Sequence, residues 1–328
     1  DDGARHSGWL RYEDGFDTTD YDDYDYEYYW FNFDSTGKKR ANTEKKINGE
    51  RYYFDPQGVM ITEWANSTWS TTSKYFNANL ENGSLETNAW VWAEPNYEEW
   101  GLEDDGSEHW FRTNNKGILI TGVTKKINSK WYVFDENGIM QYGLVVLNNT
   151  DKETGETKYS VSGATFDYAI DEDNTDASTI YDIEDGMLFY FSNNEETDGA
   201  MKTGSSITIS LADDDYVFGF HKTTGEALCG VENNKVYRNG IRQEADDDKY
   251  AVVLGGRGDD VYEYLVNSTG TRMKAKKYYK DDNDEYYVVV SENGYYNDEG
   301  KFVADGDNYG YEIEHVSTLE EAKALLAD

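Results

Sequence analysis

The sequence contains few of the features that would identify a common protein class at once. A single cysteine, Cys229, occurs in 328 residues. This excludes an internal disulfide framework, and the cysteine spacing of a zinc site is missing as well. Only two prolines are present, and no apolar run reaches the roughly 18 residues that a transmembrane helix needs. The composition therefore predicts neither a disulfide-stabilised scaffold nor a membrane span.

Basic residues are also scarce. The chain has 30 Lys and Arg against 66 Asp and Glu, which gives a formal net charge of −36. Charge repulsion of this size disfavours nucleic acids and anionic surfaces as partners. It suits a neutral or cationic ligand, although a purely solubilising role for the charge is the simpler interpretation. Aromatic residues, in contrast, are abundant: 29 Tyr, 13 Phe and 9 Trp.

A segment of twenty residues occurs twice. Residues 45–64, KKINGERYYFDPQGVMITEW, return as residues 125–144, KKINSKWYVFDENGIMQYGL. The identical positions in the first copy are Lys45, Lys46, Ile47, Asn48, Tyr52, Phe54, Asp55, Gly58 and Met60. The same offset of eighty relates Trp30 to Trp110, Phe31 to Phe111 and Gly37 to Gly117. The pattern is that of a repeat protein.

Each copy predicts a β-hairpin. Asn48-Gly49 and Asn128-Ser129 separate strand-like runs, and such residues tolerate the positive φ angles of a tight turn. The period of two places Tyr52 and Phe54 on one face of the strand and Tyr53 on the other. One two-stranded hairpin cannot bury both aromatic faces, so neighbouring copies must pack against it.

Looser copies extend the pattern along the chain. Residues 75–83 form a degenerate copy, and further copies are expected at 189–204, 217–240 and 264–294. A polar segment at 148–157 separates an N-terminal lobe, residues 1–150, from a C-terminal lobe, residues 155–328. Ser317 and Glu320 predict a capping box that begins a short C-terminal helix. The predicted fold is all-β, with stacked, solenoid-like hairpin repeats in two lobes and this one helix.

The twenty-residue pattern resembles the cell-wall-binding repeat of Gram-positive surface proteins, a family that includes choline-binding and glucan-binding repeats. The resemblance implies stacked β-hairpins, aromatic ligand sites between repeats and a protein that is secreted or displayed on the cell surface. The first residue is Asp1 rather than Met, which fits removal of a signal peptide. Only Gly8-Trp9 keeps the Gly-Trp opening of the family, because Gly122-Val123 and Gly143-Leu144 lack the tryptophan. This loss and the acidic charge favour a neutral glucan over choline on teichoic acid.

Aromatic residues outside the repeat frame are the candidate ligand contacts. Flat rings stack on sugar faces while nearby polar groups bond hydroxyls. The predicted binding residues are Trp64, Trp69, Trp90, Trp92, Tyr97 and Trp100. Trp90 and Trp92 are expected on one strand face, and packing between repeats is the alternative role for the whole set. Trp30, Trp110 and Trp131 occupy frame positions, where core packing is expected. A site in the second half would use tyrosines such as Tyr262, Tyr264, Tyr286 or Tyr287.

No catalytic motif is present. The four histidines lie far apart in the sequence, with no nucleophile motif nearby. Residues 171–176 and 305–307 carry oxygen ligands that suit calcium, but neither has the spacing of a twelve-residue calcium loop. We therefore predict a non-catalytic protein without a cofactor. Its predicted partner is a polysaccharide, with an α-glucan of the starch or dextran type favoured. A cell-wall anchor for choline or another wall polymer, and a structural spacer or adhesin segment, are the alternatives.

Overall fold

The computed structural model describes residues 5–13, 27–65, 73–150, 154, 158–192, 199–258, 260–292, 294–296, 302–304 and 310–327. Antiparallel β-strands dominate this part of the chain, and a short helix lies near its end. The predicted all-β fold of hairpins with a C-terminal helix is confirmed.

The chain divides into two compact units, and the first comprises Asp1–Gly122 and Phe134–Met140. Among its described residues, the strands form four antiparallel two-stranded sheets, β1–β2, β3–β4, β5–β6 and β7–β8. The strand bounds are β1 Gly8–Tyr12, β2 Tyr29–Phe33, β3 Thr43–Ile47, β4 Glu50–Phe54, β5 Glu63–Trp64, β6 Tyr75–Phe76, β7 Trp90–Ala93 and β8 His109–Arg112.

The hairpin predicted at residues 45–64 is present as β3–β4. Asn48 and Gly49 have φ angles of 51° and 102°, as a tight hairpin turn requires. Trp9 contacts both Tyr52 and Phe54, while Tyr53 packs against Phe76 on the other face. Both aromatic faces of the hairpin are therefore covered by residues of other hairpins, as the repeat pattern predicted.

A carboxylate closes the turn after each repeated aromatic run. Asp55 Oδ1 accepts the backbone N–H of Val59 at 2.7 Å, and the N–H of Gly58 bonds the carbonyl of Asp55. The second copy has the same turn, in which Asp135 Oδ1 accepts the N–H of Ile139 at 2.9 Å. Burial raises the pKa of both carboxyl groups above the usual range. The Asp-x-x-Gly motif therefore serves the backbone of the turn.

The second unit comprises Val123–Val133 and Gln141–Asp328. Its sheets are larger than the sequence predicted. One sheet has the strand order β12-β11-β13-β14, a second has the order β15-β16-β19-β18-β20-β21 with β17 paired to β18, and a third has the order β22-β23-β26. Strands β9–β10 and β24–β25 form two-stranded pairs. The bounds are β9 Thr124–Ile127, β10 Lys130–Val133, β11 Gly143–Asn148, β12 Thr165–Ala169, β13 Met187–Phe191, β14 Met201–Lys202, β15 Gly204–Leu211, β16 Asp214–Phe220, β17 Gly230–Glu232, β18 Lys235–Arg238, β19 Ile241–Arg242, β20 Tyr250–Arg257, β21 Asp260–Asn267, β22 Lys277–Lys280, β23 Tyr286–Glu292, β24 Gly294–Tyr296, β25 Phe302–Ala304 and β26 Tyr311–Val316.

Strands β11 and β13 contribute to two of the buried clusters of the second unit. On β11, Leu144 and Val146 pack into one buried cluster, while Val145 and Leu147 pack into another. Because alternate side chains point to opposite faces, both faces of this strand are buried. That explains why residues 144–147 form a continuous apolar run rather than an alternating one.

The C-terminal helix, α3, spans Leu319–Leu325. Its cap is Thr318: the Thr318 hydroxyl accepts the backbone N–H of Glu321, and the Glu321 carboxylate accepts the backbone N–H of Thr318, which completes a capping box. The capping box predicted at Ser317 and Glu320 therefore lies one residue further along the chain. The structure adds two short helices, α1 Tyr97–Trp100 and α2 Ala177–Tyr181, and a 3-10 turn at Glu172–Asn174. Among the described residues, no helix is long and apolar enough to cross a membrane.

The two lobes predicted at 1–150 and 155–328 stay a prediction. Most of the polar segment on which that boundary was placed, residues 151–153 and 155–157, lies outside the described residues. The chain leaves the first compact unit after Gly122, returns to it at Phe134 and leaves it again after Met140. These three crossings lie close to or within the second copy of the repeat, residues 125–144.

Candidate functional site

The first aromatic cluster consists of Trp9, Trp30, Tyr52 and Phe54. In the β1–β2 register Trp9 faces Asn32 and Arg11 faces Trp30, so the two tryptophans are diagonal neighbours on one face. Their ring centroids lie 6.1 Å apart at 87°. Trp9 also meets Tyr52 at 4.8 Å and Phe54 at 5.7 Å. Both tryptophans are half-buried, which leaves part of each indole accessible.

The second aromatic cluster consists of Trp90, Trp92, Trp110 and Phe134. In the β7–β8 register Trp90 faces Arg112 and Trp92 faces Trp110. Trp90 meets Trp110 at 6.2 Å and 84°, and Phe134 at 5.9 Å. Trp92 contacts Trp110 at 5.1 Å, so Trp90 and Trp92 share a strand face as the sequence analysis expected.

The two clusters have nearly the same geometry. The tryptophan pairs differ by only 0.1 Å in separation and 3° in angle (6.1 and 6.2 Å; 87° and 84°). Two substitutions distinguish them: Trp92 replaces Arg11, and Arg112 replaces Asn32. The eighty-residue repeat therefore duplicates an aromatic surface as well as a turn. Core packing was expected for Trp30 and Trp110 from their frame positions, and this pairing was not predicted.

Trp92 is the most exposed residue of the second cluster. It is 36% exposed, and its indole N–H donates to Glu108 Oε2 at 2.8 Å. The guanidinium group of Arg112 lies 5.5 Å from the Trp90 ring. The surface thus combines flat aromatic faces with a carboxylate and a cation at its edges. Such a surface can stack on a sugar ring and exchange hydrogen bonds with hydroxyl groups.

Other predicted binding residues make packing contacts. Trp64 lies within 5.0 Å of the rings of Tyr75, Trp100 and Phe111, and its indole N–H donates to the carbonyl of Glu94. Trp64 and Trp100 are half-buried against a core cluster. Burial in this cluster raises the pKa of Tyr75 to about 12.

Tyr97 begins the short helix α1, and its hydroxyl is already engaged. It donates to the carbonyl of Ser107 at 2.8 Å and lies 3.1 Å from Asp105. Trp69 lies outside the described residues. As ligand contacts, Trp64, Trp69, Tyr97 and Trp100 stay predictions.

A cavity of about 800 Å³ lies within the second unit. Tyr262 and Tyr264, two of the tyrosines proposed for this half of the chain, are among its lining residues, whereas Tyr286 and Tyr287 lie on β23. Arg257 also lines the cavity, and it donates to the carbonyls of Glu184 and Gly186. Both hydrogen bonds are made by one guanidinium nitrogen, Nη2.

Two acidic segments carry oxygen ligands that suit calcium but lack the spacing of a calcium loop. Within residues 171–176, Glu172 is used structurally, because its carboxylate accepts the N–H of Leu144 at 2.7 Å. Asp176 caps the helix α2 through the N–H of Thr179. Residues 305–307 lie outside the described residues.

Comparison with known proteins bears on the repeat directly. The family model of a putative cell wall binding repeat matches residues 45–60 and 125–140. The expected resemblance is confirmed. Each match covers the β-hairpin and its Asp-x-x-Gly turn, and supports a role in binding carbohydrate or cell wall. Cell wall binding repeats of this type are found in surface proteins of Gram-positive bacteria.

The similar proteins are distant in sequence. Glucosyltransferase-S of Streptococcus mutans is 24% identical over 304 residues, which span 81% of this chain and 18% of that protein. The choline-binding domain of CbpL from Streptococcus pneumoniae is 15% identical, with coverage of 82% of this chain and 98% of that one and a TM-score of 0.41. Choline binding protein F of the same organism, crystallised with a peptidoglycan analogue, is 18% identical, with coverage of 94% and 86% and a TM-score of 0.38. The chain spans less than a fifth of the glucosyltransferase.

Proposed function

We propose that this chain is a non-catalytic carbohydrate-binding protein of a Gram-positive cell surface and that it binds an α-glucan of the starch or dextran type. The observation that carries the proposal is the duplicated tryptophan pair, Trp9–Trp30 and Trp90–Trp110, with its nearly constant separation and angle. A surface repeated along the chain suits a polymer whose sugar units also repeat. Two weak contacts on one polymer chain strengthen each other through effective concentration.

The charge of the chain supports a neutral polymer. A glucan has no charge for the formal −36 of the protein to repel, and carboxylates such as Glu108 are acceptors for its hydroxyl groups. The similarity to a glucosyltransferase, an enzyme named for the glucosyl group, points to the same class of sugar.

Trp90 and Trp92 are the proposed primary contacts of the second cluster. Both lie on one strand face, and Trp92 is the more exposed. Trp64, Trp69, Tyr97 and Trp100 complete the proposed set. For Trp64 and Trp100 the packing contacts favour a supporting role, since a ring already covered on several sides offers less area to a ligand.

A cell-wall anchor that holds choline is the second candidate. Aromatic rings set nearly at right angles can surround a quaternary ammonium group, and Trp9, Trp30 and Tyr52 provide such rings. In the second cluster the Arg112 guanidinium already lies near the Trp90 face and would repel a cationic ligand. A spacer or adhesin segment is the third candidate.

Co-sedimentation with insoluble starch and, separately, with purified cell walls tests the proposal. We expect retention on starch that free choline does not reverse. Retention only on cell walls, abolished by free choline, would replace the glucan proposal with the choline anchor. Failure to bind either polymer, with every tryptophan shielded from a fluorescence quencher, would favour the spacer.

A further inference from the structure

Three potential metal ligands converge at one end of the C-terminal sheet. Asp281 follows strand β22, Glu285 precedes β23, and His315 lies on β26 opposite Tyr287. The hydrogen-bonded ladder of β22, β23 and β26 fixes these positions relative to one another. The side chains therefore meet because of strand register, although Glu285 and His315 are thirty positions apart in sequence.

The distances among the three ligand atoms suit a small metal ion. His315 Nε2 lies 2.9 Å from Asp281 Oδ2 and 3.7 Å from Glu285 Oε2. All three atoms lie within 4.8 Å of one another. For tetrahedral coordination with bonds of about 2.1 Å, the distance between two ligand atoms is about 3.4 Å. The two distances from His315 lie on either side of this value.

Groups outside the triangle of ligand atoms hold each side chain in place. Asp281 Oδ1 accepts the N–H groups of Asn283 and Glu285, both at 2.9 Å, so the oxygen that would contact the ion is Oδ2, and the ion would replace the hydrogen bond between Oδ2 and His315 Nε2. The Ser317 hydroxyl donates to Glu285 Oε1 at 3.0 Å. The His315 ring stacks on Tyr287 at 4.2 Å. Outer partners of this kind orient the ligands of metal sites.

We propose that Asp281, Glu285 and His315 bind a divalent transition-metal ion of the Zn²⁺ type, with water as a fourth ligand. The imidazole nitrogen excludes the all-oxygen coordination that Ca²⁺ and Mg²⁺ prefer and suits Zn²⁺, Co²⁺ or Ni²⁺. Two carboxylates and one dication leave the site neutral within an acidic chain. This site lies outside the aromatic surfaces and is independent of the proposed function.

The ion would connect the β22–β23 turn to the end of β26. His315 and Ser317 immediately precede Thr318, the cap of α3, so the same ion would also anchor the start of the helix. A chain with one cysteine cannot make this connection with an internal disulfide. The expected consequence of metal binding is therefore a more stable C-terminal sheet and helix.

Calorimetric titration of the full chain with Zn²⁺ tests the proposal, in about 150 mM salt to screen the general negative charge. We expect one tight site per chain. His315→Gln is expected to remove it, and Asp281→Asn to weaken it, since the amide oxygen of Asn can still accept the two turn N–H groups. Ser317→Ala should weaken binding about tenfold or more. His6→Gln, which alters an exposed histidine far from the site in sequence, should bind as the wild type does.

Two readouts separate a metal site from the Asp281–His315 ion pair alone. Co²⁺ should give the visible absorption bands of a low-symmetry site in the wild type and not in His315→Gln. Zn²⁺ should raise the melting temperature of the wild type only, with circular dichroism showing that both proteins are folded. Absence of a stoichiometric site, equal affinity in His315→Gln, or Ca²⁺ binding as tight as Zn²⁺ would each overturn the proposal.

Discussion

Truncation of Trp92 to alanine should reduce glucan affinity while leaving the fold nearly as stable as before. Trp92 is 36% exposed, and among the described aromatic contacts its ring meets one neighbour, Trp110 at 5.1 Å. Loss of one aromatic pair costs about 1 kcal/mol of unfolding free energy. Loss of a central aromatic contact to a ligand costs about 1–3 kcal/mol of binding free energy, or about a 5- to 150-fold weaker affinity.

The opposite balance is expected for Trp64. Its ring lies within 5.0 Å of three other aromatic rings, and its indole N–H is bonded to the Glu94 carbonyl. Trp64→Ala therefore removes contacts on several sides and should cost about 3 kcal/mol of unfolding free energy. Thermal denaturation and affinity gel electrophoresis in soluble starch measure the two quantities for each variant.

Tyr278→Ala provides the matched control. Tyr278 is 40% exposed, contacts the ring of Tyr286 and lies in the other compact unit. It controls for the general effect of removing an exposed aromatic residue. If Trp92→Ala binds starch like the wild type and the Tyr278→Ala control, the second aromatic cluster is a packing feature and the argument from its geometry is wrong.

Two further predictions concern the repeat turns. Burial raises the pKa of Asp55, so the folded chain binds this proton more tightly than the unfolded chain does. The contribution of Asp55 to the unfolding free energy should therefore grow as the pH falls toward about 4. The melting temperature of the wild type, relative to that of Asp55→Asn, should therefore increase as the pH is lowered. A difference in melting temperature that does not change with pH would contradict this. Gly58→Ala should lower the free energy of unfolding by more than about 1 kcal/mol, because φ is +87° and a Cβ would lie 2.7 Å from the Arg40 carbonyl oxygen. Gly49→Ala, with φ of +102° but nothing within 4 Å of its Cβ, should cost less, and equal melting temperatures would contradict the steric argument.

The local parts of the fold were predictable because their causes are local. Asn48 and Gly49 adopt positive φ angles that their own residue types permit, and the Asp55 carboxylate bonds an N–H four residues away. The sequence contains all the partners of these turns within a few positions. The hairpins and the Asp-x-x-Gly turns therefore followed from the sequence alone.

The sheets of the second unit depend on distant partners. Strand β18 pairs with β19, β17 and, in parallel, β20, where Arg238 faces Gly256. No spacing in the sequence encodes a parallel bridge between residues that far apart. The helices α1 and α2 were not predicted for another reason. They contain four and five residues, and segments of this length are too short to display a helical period.

The candidate site was only partly predictable, because exposure depends on neighbours. Strand alternation correctly placed Trp90 and Trp92 on one face. It could not show that Trp30 and Trp110 remain half-buried, since that depends on how many neighbouring side chains cover them. The eighty-residue offset between these two tryptophans was the available signal, and it identified the repeated position without its accessibility.

The two aromatic clusters combine a constant part with a variable part. The tryptophan pair and the phenylalanine beneath it keep their separations to within 0.2 Å, at 6.1 and 6.2 Å for the pair and 5.7 and 5.9 Å for the phenylalanine. The residues beside them change in size and charge, from Arg11 to Trp92 and from Asn32 to Arg112. Ring stacking depends on the constant part, so both surfaces suit the same class of flat ligand. Affinity and tolerance of charge are expected to depend on the variable part, which gives the second surface more aromatic area and moves the cation from the position of Arg11, opposite Trp30, to that of Arg112, opposite Trp90. In the glucan binding that we propose, the repeat thus maintains the geometry of the stacking rings, while the residues beside the rings set which member of the class each surface prefers.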